Sequence, residues 1–243
     1  MKKGLIFTLM LALLATFGCR KDKNIEKNVS AQSFLSGDDF TKLNVEVQYV
    51  TGFAPTAATI ANLKSFLEKY LNKPGGIAIV QTEVSSSGKS VYTIDDVKAI
   101  ETAHRSQKTD GSTLTAYFLF ADGDYAGNAG SSKVLGIAYG NSSMVIFEKT
   151  IRDFSGGLTQ PSVTTLESAV VHHEFGHILG LVNNGTPMQT AHQDAANGKH
   201  CDDKNCLMYY ATETSDVVAN LVGGTIPELD SRCAADLKAN GGK

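Results

Sequence analysis

Five of the six histidines in this sequence fall between residues 172 and 200. At the centre of that stretch stands His173-Glu174-Phe175-Gly176-His177, two imidazoles four residues apart with a carboxylic acid beside the first. On a helix, the two rings project from one face a turn apart and can grip one ion. Glu174 is too close in sequence to share that coordination comfortably, but it can overhang the ion and take a proton from a metal-bound water. Neutral imidazoles in a three-ligand site that keeps one position for water are the chemistry of zinc (Zn2+). The same pattern also arises by chance on amphipathic helices, so its surroundings have to decide.

Those surroundings favour a metal. Thr164-Thr165-Leu166-Glu167 reads as a capping box, which predicts a helix from residue 164 that ends at Gly180, where glycine tolerates the left-handed turn of a sharp exit. A third ligand must come from farther on. His200 and His192 are the histidine candidates, and Gln193-Asp194 beside His192 could bind a cation or hold a loop. Glu213 and Glu228 are the carboxylate alternatives. His172 points about 100° away from His173 on the helix, and His104 stands alone on another predicted helix. Asp122-Gly123-Asp124 with Asn128 offers oxygen donors without the full spacing of a calcium loop and reads as a turn.

Residues 173–180, HEFGHILG, resemble the first part of the metzincin signature H-E-x-x-H-x-x-G-x-x-H. The family's third ligand follows three residues after the glycine, where this chain has Asn183. Farther on, His200-Cys201-Asp202-Asp203-Lys204-Asn205-Cys206-Leu207-Met208 is similar to the archaemetzincin continuation H-C-x4-C-x-M. The resemblance implies a zincin-like α/β fold and zinc-dependent peptide hydrolysis. It also implies that His173, His177 and His200 are the metal ligands, Glu174 the general base, and Met208 the residue beneath the metal, with residues 182–199 as an insertion. Met208-Tyr209-Tyr210 resembles the Met-x-Tyr of astacin-like and serralysin-like members, which implies a catalytic tyrosine at Tyr210. Archaemetzincins use a later C-x-x-C pair to help bind a second, structural zinc. Only Cys233 stands in that region here, so a Cys201–Cys206 disulfide is expected instead. The family also implies that an edge strand at residues 134–139 binds an extended peptide or protein substrate by adding it to the sheet. The reading from a different class is a non-catalytic, zinc-stabilised surface binding module, with a fourth protein ligand from His192, Asp194 or Cys201 closing the site.

The elements that must position these residues follow from periodicity. Residues 43–50 alternate apolar and polar, the signature of a strand, and Pro55 then opens a helix with Ile60, Leu63, Leu67 and Leu71 at helical spacing, ended by Lys73-Pro74-Gly75-Gly76. Residues 77–84 are a second strand, Thr93 caps a helix over 94–105, and the apolar residues 113–121 predict a central strand. A Gly/Asp/Asn/Ser-rich loop over 122–133 leads to strands at 134–139 and 143–147. After Gly180 the chain is loop-rich until a last helix over 228–239. The expectation is an α/β (α+β) fold: an N-terminal lobe, 41–180, with a mixed twisted sheet and the motif helix, and a smaller C-terminal lobe, 181–243.

The 243 residues, 42% hydrophobic and 19% charged with net charge −3, describe an ordinary globular chain and give no reason to expect a nucleic acid partner. Met1-Lys2-Lys3, the apolar run 5–17 and Gly18-Cys19 form an export signal. Gly18-Cys19 resembles the lipobox of bacterial lipoproteins. That implies cleavage after residue 18, a lipid on Cys19 that anchors the chain to a membrane of the cell envelope, and a flexible tether over 19–40. Cys201, Cys206 and Cys233 remain for the folded domain, most simply as one disulfide and one free thiol, with Cys201–Cys206 the local pairing and Cys233 with Cys206 or Cys201 the long-range one.

Overall fold

The computed structural model describes residues 29–243; the export signal and Cys19 lie outside the described residues. The elements in chain order are α1 (Ala31–Leu35), β1 (Lys42–Val50), α2 (Ala57–Tyr70), β2 (Ile77–Val84), β3 (Val91–Tyr92), α3 (Ile94–His104), β4 (Thr113–Phe120), β5 (Asp124–Tyr125), β6 (Gly136–Tyr139), β7 (Ser143–Ile146), α4 (Glu148–Asp153), α5 (Val163–Ile178), α6 (Val218–Leu221) and α7 (Ser231–Ala239). Two 3-10 turns, Tyr210–Glu213 and Ser215–Val217, precede α6.

Five strands form the main sheet in the order β2-β1-β4-β7-β6. All neighbours run parallel except β6, which joins β7 antiparallel and makes one edge. β4 lies in the middle, as its unbroken apolar run predicts, because both of its faces are covered. Leu114, Ala116, Phe118 and Phe120 enter the core shared with α2 and α5, whereas Tyr117, Leu119 and Ala121 enter the one beneath α3. β1 departs from a simple alternation of buried and solvated residues. Its polar Glu46 and Gln48 are also buried, and the carboxylate of Glu46 accepts hydrogen bonds from the backbone N–H groups of Ser106 and Gln107 and from Gln48 Nε2. Full pairing of this kind is what makes a buried carboxylate tolerable.

Three expectations need correction. The tether does not extend to residue 40: Ser30 caps α1, and Phe34, Leu35 and Phe40 are buried in the main core, with the Phe34 ring edge-on to Phe175 of α5 at 5.8 Å. A short helix with two adjacent apolar residues has no periodicity from which to recognise it. The motif helix begins earlier than its apparent capping box. Ser162 is the cap, its Oγ accepting from Thr165 N at 3.0 Å, and Glu167 is turned instead toward the start of α2, where Thr56 N–H donates to it at 3.0 Å. The last helix likewise starts at Ser231, capped by Asp230, a few residues after Pro227.

Candidate metal centre

α5 runs through the core with Phe175 and Ile178 on its apolar side, and it presents Glu174 and His177 to a cleft of about 750 Å3, with His173 fully buried beside them. Gly180 ends it with φ +73°, and Leu181 N–H reaches back to Gly176 O at 3.1 Å, the hydrogen bond of a glycine-terminated helix. A Cβ on Gly180 would stand 2.7 Å from Thr186 N, so the turn requires glycine for space as well as for conformation. Val182 and Asn183 follow with positive φ, and the exposed Asn183 is carried away from the cleft.

The long excursion brings back His200. Its Nδ1 donates to Asn197 O at 2.7 Å, and His173 Nδ1 donates to Leu207 O at 2.7 Å, so both rings turn Nε2 toward a common point. His173 and His177 present Nε2 atoms 3.2 Å apart, and the buried His200 Nε2 has no hydrogen-bond partner. A fourth group, the Glu213 carboxylate, stands 3.4 Å from His200 Nε2, 3.8 Å from His177 Nε2 and 3.9 Å from His173 Nε2. Ligands on a tetrahedral zinc with bonds of about 2.1 Å lie about 3.4 Å from one another, so these four atoms fit one ion. Burial holds His173 down at about 4 and His177 well below its ordinary value, which keeps both imidazoles neutral and able to coordinate.

Glu174 is fully buried beside this cluster. Its Oε2 accepts from Ala138 N–H of β6 at 2.6 Å, whereas Oε1 has no partner. Burial, and then the negative charge of Glu213, push its carboxyl well above the usual range. The close approach of β6 to α5 depends on Gly136, where a Cβ would meet Glu174 Cγ at 2.8 Å. Beneath the helix, Met208 is fully buried against Gly176, and its sulfur leaves no room for a Cβ there.

The other candidates fall elsewhere. Tyr210 packs on Tyr209, ring centroids 4.6 Å apart, outside the residues that line the cleft; Glu213, on the same 3-10 turn, enters it instead. His192 is not near this cluster. Asp194 binds its own loop, accepting from Asn197 Nδ2 at 2.7 Å and Ala196 N at 2.8 Å. Glu228 forms an exposed pair with Lys69, His172 stacks on Phe66, and His104 is exposed. Asp122, Asp124 and Asn128 each hold a different partner, namely Tyr92, Thr150 and the Val134 backbone, as turn residues do.

The cysteines overturn the disulfide expectation. Cys201, Cys206 and Cys233 are all free and buried; Cys201 and Cys233 lie beside His192, and Cys206 lies beside Cys233. Cys206 and Cys233 sulfurs are 3.6 Å apart, and His192 Nδ1 lies 3.4 Å from Cys201 Sγ and 3.8 Å from Cys233 Sγ. A disulfide needs about 2.0 Å between sulfurs. Tetrahedral zinc, with bonds of about 2.3 Å to sulfur, holds its thiolates about 3.8 Å apart, which these distances match. His192 Nε2 meets the buried Asp236 carboxylate at 2.8 Å, the carboxylate–histidine pairing that orients metal-bound imidazoles. Asp230 completes the group of possible metal donors that His192, Cys201 and Cys233 make here. A His among cysteines at irregular spacing left no signal from which to foresee it.

No family model and no curated protein matches this chain. Among solved structures it is similar to an archaemetzincin from Methanopyrus kandleri, TM-score 0.48 and 16% identity over 82% of this chain and 96% of the other. It is similar to a zinc-dependent peptidase from Methanocorpusculum labreanum, TM-score 0.48 and 13% identity over 79% and 99%. It is also similar to metalloproteinase-II from Bacteroides fragilis, TM-score 0.44 and 16% identity over 84% of this chain and 54% of the other.

Proposed function

We propose that this chain is a zinc-dependent endopeptidase of the metzincin type. His173, His177 and His200 hold the catalytic metal, and Cys201, Cys206, Cys233 and His192 hold a second, structural one. One observation carries the reading: three imidazole Nε2 atoms face one point at the floor of a cleft, with a buried carboxylic acid beside them that has one unpartnered oxygen. Zinc bound there supplies Lewis acidity, polarising a carbonyl and making its water acidic near neutral pH.

The protein groups do the rest. Glu174 Oε1 accepts the proton of the attacking water and returns it to the leaving amine, while Ala138 N–H holds Oε2 and fixes the direction of the free oxygen. The burial that raises the Glu174 carboxyl makes it a stronger base for that exchange than an exposed glutamate. β6, the sheet edge beside the cleft, offers backbone hydrogen bonds to an extended peptide. The export signal and a lipid on Cys19 place the enzyme on the cell envelope, a part of the proposal that Cys19→Ser tests by moving the protein out of the membrane fraction. Among the described residues no helix is long and apolar enough to cross a membrane.

Glu174→Gln is the decisive experiment. It should leave zinc content unchanged and lower hydrolysis of a casein-type substrate by about 10²–10⁴-fold. Full activity in that variant removes Glu174 from the mechanism. Wild-type protein that holds zinc at both sites and hydrolyses no peptide moves the reading to the zinc-stabilised binding module.

A further inference from the structure

A water-activating zinc needs a vacant corner, and Glu213 stands in it. The carboxylate lies 3.4–3.9 Å from all three histidine nitrogens, distances comparable to the 3.2 Å between His173 and His177 themselves. It is one third exposed and lines the cleft, so it reaches the centre from the side by which a substrate would enter. Its backbone has a second peculiarity. Residues 213–215 lie antiparallel along the outer side of residues 133–135, the stretch that leads directly into β6. Leu135 N–H donates to Glu213 O at 2.8 Å, Ser215 N–H donates to Lys133 O at 2.7 Å, and Val134 and Thr214 form a bridge. The chain thus lays the bend between its two 3-10 turns, extended only at Thr214, beside the residues that lead into the strand proposed to receive substrate, with a carboxylate facing the three histidines.

From this we infer that Glu213 is a fourth metal ligand and that the segment 213–215 acts as an internal pseudosubstrate, which closes the catalytic centre at rest and is displaced when a peptide binds. The inference rests on the peptidase reading above. A purely structural His3Glu site would produce the same four ligands, but two observations favour a site that opens. Glu174 sits beside the cluster with a free oxygen, which a closed structural site does not need. The carboxylate is held in place only by its approach to the histidines, since no backbone or side-chain donor other than those imidazoles binds it, among the contacts of the described residues. A ligand that is to leave should have no other bonds to break.

The test uses full-length protein with zinc or cobalt(II) added, Glu213→Gln, which keeps the shape and weakens the ligand, and Glu213→Asp, which retracts the carboxylate by one methylene. Chelator competition should show both variants binding zinc at the histidine site at least 10-fold more weakly, the range in which changes around a metal ligand fall. The cobalt(II) visible spectrum should shift as a carboxylate is exchanged for water. Acetohydroxamate, which needs an open corner, should bind the variants more tightly than wild type, and peptide hydrolysis at saturating zinc should rise.

Unchanged zinc affinity and cobalt spectrum in both variants overturn the inference and leave the peptidase reading standing. A changed spectrum with hydrolysis reduced also overturns it, because the carboxylate would then serve the reaction rather than block it. Wild-type protein that takes up no metal at the three histidines overturns the peptidase reading itself, and the closure with it. Zinc affinity of the wild type therefore separates the two failures.

Discussion

Two candidate metal centres lie side by side in this chain, and consecutive residues divide between them. His200 turns its ring to the cleft, while Cys201 turns its sulfur to the opposite side, where His192, Asp230 and Cys233 wait with Cys206 beside Cys233. The backbone between them is extended, tied by Cys201 N–H to Met208 O at 2.7 Å and by a bridge from Cys201 to Gln193, so neighbouring side chains must point in opposite directions. The first centre is built of nitrogens and a partly exposed carboxylate at a cleft. The second is built of thiols and an imidazole in the core, with a buried aspartate behind the imidazole. Hard and borderline donors at an accessible point suit chemistry, and a closed, sulfur-rich set suits a staple. The loop-rich C-terminal lobe has little regular structure of its own, and contacts of His192 with Asp236, Asp202 with Arg232 and Cys206 with Cys233 join it to α7.

The largest expected effect breaks the second centre. Cys233→Ser should lower zinc content from two ions per chain to one and leave His192, Cys201 and Cys206 with an incomplete set. Losing one partner of a buried set costs about 4 kcal/mol, equivalent to about 10 °C in melting temperature at this size. Calorimetry with and without added zinc measures it, alongside metal analysis. If the variant melts where the wild type does and the wild type itself holds one zinc, the cluster is only a group of buried thiols and the comparison drawn above fails.

A smaller effect should appear on the first centre alone. Gly176→Ala drives a methyl into the sulfur of Met208, and overpacking a closed core costs about 1–3 kcal/mol. Met208 is next to Leu207, whose carbonyl orients His173, so the displacement should be felt as weaker zinc binding at the histidine site. The second centre should keep its metal. Loss of zinc from both sites would mean that the two centres are mechanically coupled through Met208 and Cys201.

Much of the first centre was readable from the sequence because its determinants are local. Two histidines at helical spacing and a glycine that ends the helix state their own geometry, and the run from His200 to Met208 restates it at a distance. What escaped reading depends on where chain segments meet. Glu213 stood in the sequence only as one of two carboxylate alternatives for a third ligand, beside Glu228, and what brings it to the cleft is the pairing of residues 213–215 with 133–135, segments some eighty positions apart. Tyr210 drew attention by its offset from Met208, yet the 3-10 turn it begins carries Glu213, not Tyr210, to the metal side. His192 looked like a rival ligand for the first centre because residue type alone does not say which of two clusters a loop will feed. The strands and helices of the N-terminal lobe were legible for the usual reason of periodicity, but the buried polar face of β1 was not, since Glu46 is made tolerable by its neighbour Gln48 and by residues 106 and 107, far along the chain.

The smallest effect sharpens the comparison most finely. Asp236 accepts from His192 Nε2 at 2.8 Å and from Gln189 N–H at 2.6 Å, and it is completely buried. If His192 is a metal ligand, the carboxylate does two things for it: it fixes the tautomer that leaves Nδ1 free to coordinate, and it makes that nitrogen more basic. Asp236→Asn keeps the shape and an acceptor oxygen but removes the charge. Zinc affinity at the cysteine site should therefore fall by about 10–100-fold while the histidine site is untouched. Titration with a chromophoric chelator, two sites resolved, reads both numbers in one experiment. Equal weakening of both sites would mean that Asp236 acts through the fold of the whole lobe; no weakening of either would mean that His192 binds its aspartate as an ordinary buried pair and that the fourth corner of the second centre belongs to another group, such as Asp230, which stands in the same cluster.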